Sequence, residues 1–190
     1  MGLTKEELTS LREWRDIFDS DNIRIKEKIK QALLENKYII HVLNNHDLDE
    51  DESDEYFDVN ILPYYLVSPT QTHTENFICY DVQTEQQRYG MNPVMKKQFI
   101  VFHILCEQKN LIDQDTYLAR HDLLAALIMD TINWSHFLGR QIHCVADVPS
   151  IVDDKYASRT LTFELELPNN ISSQKNSAYP KGRVINQDLR

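Results

Sequence analysis

Lys97 to Glu107 reads KQFIVFHILCE, a run that is apolar on both of its alternating sets. Phe99, Val101 and Leu105 fall on one set, and Ile100, Phe102 and Ile104 on the other. Successive side chains of a strand point to opposite faces, so a strand of this composition has to be covered twice, by helices or by a neighbouring subunit. A second segment, YASRTLTFELELP, behaves differently. There Leu161, Phe163, Leu165 and Leu167 alternate with Thr160, Thr162, Glu164 and Glu166, which predicts a strand with one wet face.

The rest of the chain divides around these two strands. Thr4 and Glu7 have the spacing of a capping box, so a first helix is expected to run to about Phe18. DSDN breaks it, and Asp21 or Asn22 can cap a second helix in which Ile25, Ile29, Ala32 and Leu33 recur at helical spacing. KYIIHVL, Lys37 to Leu43, reads as a strand. In DLDEDESDEYFD, Asp47 to Asp58, eight of twelve residues are acidic, which predicts a solvated loop with nothing to bury. Val59 to Val67 surrounds Pro63 and suggests an edge strand or a kink, and FICYDV, Phe77 to Val82, a short strand. RQIHCVADV follows the central helix as a further strand, and past Pro168 the chain turns polar and is expected to lack fixed structure alone. The expected fold is α+β: one domain over residues 1–167, a mostly antiparallel sheet with N-terminal helices, and a polar tail at 168–190.

ARHDLLAALIMDTINWSHFLG, Ala119 to Gly139, holds an Arg-His-Asp triplet that invites an active-site reading. Asp113, Asp115 and Thr116 offer capping chemistry, which predicts a helix from about Thr116 to Trp134 with Gly139 in the turn beyond. On that helix Leu123, Leu124, Leu127, Thr131 and Trp134 share one side, Asp122 points nearly the opposite way, and His121 sits on a flank. The triplet therefore does not converge. Arg120 projects from the apolar side. Either its stem lies on apolar surface while the head reaches water, or it forms a bidentate pair with a carboxylate, across the sheet or across a subunit boundary.

Composition narrows the function. A formal charge of −10 disfavours a chain that grips nucleic acid, though not one that DNA slides past. Three cysteines, no apolar signal segment and no long apolar run predict an intracellular, reduced protein without a membrane span. His103 with Cys106, and His143 with Cys144, lie an odd number of residues apart, so within a strand neither pair can close on one metal ion. No nucleophile turn and no phosphate-cradling glycine loop is present, and no metal, cofactor or catalytic residue is expected.

KKQFIVFHILCEQ, YLARHDLLAALIMDTINW with FLGRQIH, and YASRTLTFELELP, in that order, resemble the tail terminator or neck proteins of long-tailed bacteriophages. The resemblance implies a non-enzymatic virion protein made in the host cytoplasm, forming a ring, usually a hexamer, at the tail neck. Such a ring caps the tail tube and meets the head–tail connector, while DNA passes without specific binding. The segment before Phe77, with its acidic loop, departs from the compact members of that group. Candidate interface or ion-pair residues are Arg120, Asp130 and Arg159. A candidate acidic surface for a partner or channel comprises Asp47, Asp49, Glu50, Asp51, Glu52, Asp54 and Glu55. Two competing readings are an adaptor or inhibitor that meets a basic partner through that surface, and a small enzyme built from Asp122, Asp130, His136 and His143.

Overall fold

The computed structural model describes residues 21–65, 76–85, 95–151 and 155–168. In chain order they form α1 (Asp21–Glu35), α2 (Lys37–Leu43), β1 (Ile61–Leu62), β2 (Asn76–Glu85), β3 (Met95–Glu107), α3 (Arg120–Ile132), β4 (His143–Ile151) and β5 (Tyr156–Pro168). The fold is α+β, and among the described residues it has one five-stranded sheet in the order β1-β2-β3-β5-β4 with three helices. Only β1 pairs in parallel, Ile61 with Ile78; all other neighbours are antiparallel. The helix expected before Phe18 and the tail after Pro168 lie outside the described residues.

β3 is the central strand, paired along its length with β5 from Met95↔Pro168 to Glu107↔Tyr156. Its inward set, Ile100, Phe102 and Ile104, joins Ile78, Tyr80 and Val82 of β2 and Leu161, Phe163 and Leu165 of β5. This sheet face packs on Ile25, Ile29 and Leu33 of α1, on α2, and on Leu124, Ile128 and Ile132 of α3. Among the described residues the opposite face is covered only in part. Leu62, Phe77, Cys79, Leu105 and Tyr156 form a second buried cluster at one end, and the Tyr65 ring lies 4.6 Å from that of His103. Phe99 and Val101, further along, remain half-exposed. The double covering expected of this strand is thus complete on the helical side and partial on the other. β5 alternates as its sequence requires, with Leu161, Phe163, Leu165 and Leu167 buried.

Three expectations need correction. KYIIHVL is the helix α2, not a strand. Its β-branched residues favour extended structure locally, but Asn36 caps its start by accepting from Tyr38 N and Ile39 N. Asn44 closes its end in the left-handed conformation, and Ile39, Ile40, Val42 and Leu43 are all buried. The central helix begins at Arg120 rather than Thr116 and ends at Ile132 rather than Trp134. Asp113 does accept from Thr116 N and Oγ1, but that bond closes a turn ahead of the helix. The buried face consequently runs through Arg120, Leu124, Ala125, Ile128 and Ile132, while Trp134 is 62% exposed. Gly139 lies in the turn beyond, at φ +84°. The acidic segment also buries something: Ser53–Tyr56 forms a 3-10 turn that sinks Tyr56 fully into the core.

The sheet's edges are short or interrupted. β1 has two residues before Pro63, and Val59 to Tyr65 adds no further strand; Leu66 and Val67 lie outside the described residues. β4 carries a register shift between Cys144 and Ala146 and contains Pro149 opposite Arg159. Asn36 also donates to Thr131 Oγ1 at 2.9 Å, joining the start of α2 to α3. Asn36→Ala is expected to cost about 1–2 kcal/mol in urea unfolding, and Asn36→Asp, which keeps the cap acceptor, clearly less.

Candidate functional site

Two ionic arrangements centre on an arginine, one buried and one at the surface. The buried one centres on Arg120, which is 4% exposed. Its Nη1 donates to Val42 O at 3.1 Å, its Nε to Asn110 O at 3.1 Å, and its Nη2 lies 3.2 Å from Asp113 Oδ1. The head therefore does not reach water; the arginine is paired, but with a carboxylate of its own chain. α2 leaves Val42 O without an intrahelical donor, and Arg120 supplies one. Burial pushes the Asp113 carboxyl up, but the two bonds from Thr116 and the charge of Arg120 outweigh it and hold it below the usual range.

The surface arrangement centres on Arg159 of β5. Its Nε and Nη2 donate to the two oxygens of Asp147 on β4, at 2.6 and 2.8 Å, and its Nη1 donates to Asp122 in the first turn of α3. The bidentate bond with Asp147, followed by that with Asp122, raises the arginine's proton affinity further and keeps it charged. His121 adds its Nε2 at 3.4 Å from Asp122 Oδ1, while its buried Nδ1 has no hydrogen-bond partner among the described residues. Arg159 thus ties an edge strand to a helix within one chain.

Asp130 joins neither arrangement. It is exposed at the far end of α3 and borders an open depression with Glu35, Asn36, Lys37 and Tyr38. Nor do Asp122, Asp130, His136 and His143 assemble into one constellation. Asp122 is engaged by Arg159, and His143 stacks edge-on with Trp134 at a centroid distance of 4.5 Å. Asp122 and Asp130 are about 12 Å apart along the helix axis at 1.5 Å per residue. Among the described residues no group of three or more His, Cys, Asp or Glu is placed to hold a metal ion. Burial pushes the Cys106 thiol up to about 12, so it is no nucleophile at neutral pH.

The acidic surface is a folded element. Asp47, Asp49, Glu50, Asp51, Glu52, Asp54 and Glu55 are all exposed, anchored from below by Tyr56. Lys30 lies 3.7 Å above the Phe57 ring. His41 Nδ1 is 3.1 Å from both oxygens of Glu50, and its Nε2 is 3.8 Å from Asp115. The hydrogen bond to Glu50 raises the His41 pKa despite some burial. Sequence reading missed Asp147 and His41 as partners and took Asp113 only for a cap. The signal for Asp113 was its distance of seven residues from Arg120 across a Thr-containing turn.

The YomW family model matches residues 27–165, a span that contains β1 to β4, most of β5, α2, α3 and both arginine arrangements. A comparison with curated proteins finds no match.

Two outcomes test this geometry. Arg120→Met is expected to cost about 3–5 kcal/mol at neutral pH, because it strands a buried carboxylate. Adding Asp113→Asn should recover part of the loss in the same urea titration. The Asp113 pKa is depressed, so its contribution is present above the unfolded value and lost as pH falls through the folded one; the gap between wild type and Arg120→Met should narrow at acid pH. For His41, a side-chain NMR titration should give a pKa above the ordinary value of about 6.5, returning towards it in Glu50→Gln. The raised pKa means that its stabilisation is full below the unfolded value and disappears as pH rises through the folded one.

Proposed function

Because the chain belongs to the YomW family, which is phage-derived and Bacillus prophage-like, we propose that it is a structural virion protein: a ring-forming tail terminator. It caps the tail tube, and the ring, a hexamer, joins the tube to the head–tail connector at the tail neck. The family match carries the phage half of this reading. The rest is supported by the resemblance of the β3, α3 and β5 segments to tail terminators.

Several observations fit. Phe99 and Val101 leave apolar surface on the central strand that a neighbouring subunit can cover. The exposed carboxylates at 47–55, on a chain of charge −10, suit a channel past which DNA moves without sticking. In this reading the chain binds no cofactor and catalyses no reaction. No helix among the described residues is long and apolar enough to cross a membrane. Arg120 and Arg159 are engaged by carboxylates of the same chain, the ion-pair role the sequence offered for them, and in this reading they shape the subunit.

Light scattering after size exclusion, followed by negative-stain imaging, tests the proposal. A hexameric ring, formed alone or on addition of purified tail tubes, is the expected result. A monomer that ignores the tubes would sink it and favour an adaptor that meets a basic partner through its exposed carboxylates.

A further inference from the structure

Between Ile112 and Ala119 the chain makes a closed turn that displays large apolar side chains. The two end residues form an antiparallel bridge, Asp113 N donates to Leu118 O at 2.9 Å, and Tyr117 N donates to Asp113 O at 2.9 Å. Ile112, Tyr117 and Leu118 are 53, 82 and 55% exposed. Tyr117 sits at φ +58°, a left-handed conformation that bulky residues rarely adopt. Its backbone is held there from below, because Asp113 is clamped by Thr116 and by the buried Arg120. An isolated exposed apolar residue is ordinary; three within seven residues concentrate apolar surface on one braced turn.

The border of the patch is acidic. Asp115, in the same turn, reaches His41, whose other ring nitrogen faces Glu50 of the acidic surface. We propose that the turn 112–118 is a docking knob for a protein partner whose contact face offers an apolar pocket rimmed by Lys or Arg. Charge selects this occupant. The carboxylates of Asp115 and Glu50 beside the turn complement a cationic rim and repel an acidic one. The apolar side chains supply most of the affinity, and the carboxylates steer and orient the approach. The inference is independent of whether the chain forms rings.

The test uses the full chain and three synthetic peptides of equal length: an amphipathic Leu–Lys helix, an all-Lys peptide and a Leu–Glu helix. The Leu–Lys peptide is expected to bind best, with amide NMR shifts concentrated at 112–118 and His41. Tyr117→Gly, which tolerates the left-handed backbone, and Leu118→Ser should each weaken binding roughly tenfold, the loss of one apolar anchor. The proposal fails if the Leu–Lys peptide does not bind, if all-Lys binds as tightly, if the shifts map elsewhere, or if both variants bind like wild type.

Discussion

The last carbonyls of α2 have no partner within the helix, and two of them belong to the buried residues Val42 and Leu43. Asn44 N serves His41 O, Arg120 Nη1 serves Val42 O, and Asn76 Nδ2 serves Leu43 O at 2.9 Å. Two of these donors come from far along the chain, one at the start of α3 and one at the start of β2. An unpaired buried carbonyl costs about 1–3 kcal/mol, so helix and sheet are bound to one relative placement. The chain continues outward: Asn60 Nδ2 donates to Asn76 O, Asn45 Nδ2 to Asn60 Oδ1, and Ile78 N to Asn60 O. A short helix therefore acts as the joint around which sheet, acidic segment and α3 are assembled.

The two arginines divide the remaining work by depth. Arg120, buried, serves backbone carbonyls as well as a carboxylate, so its pairing is one part of a satisfied polar network rather than an isolated charge. Arg159, at the surface, spans three elements with a planar fork that lysine cannot reproduce. Each guanidinium is engaged by carboxylates of its own chain.

Legibility in the sequence followed the range of the forces involved. β5 and the inward half of β3 were readable because alternation reports directly on which face is wet. α2 was not, because seven residues of mixed Ile, Val and Leu satisfy either period, and the flanking Asn36 and Asn44 matter only once read as caps. The α3 boundary moved because Asp113 and Thr116 can close a turn as well as start a helix. Arg120 was correctly placed on the apolar side of its helix, yet its acceptors at Val42 and Asn110 belong to tertiary structure and carry no local pattern. Composition likewise described the carboxylates at 47–55 but not the single Tyr56 that pins them.

The interrupted rim of the sheet has a consequence for crowding. A flat strand with a full row of free donors and acceptors templates endless stacking. Here one rim is two residues long, and the other breaks its register near Val145 and loses a donor at Pro149. Many copies held side by side at high local concentration are thereby discouraged from zipping into fibrils. Association is left to side chains, whose fit, unlike backbone pairing, can stop at a finite number.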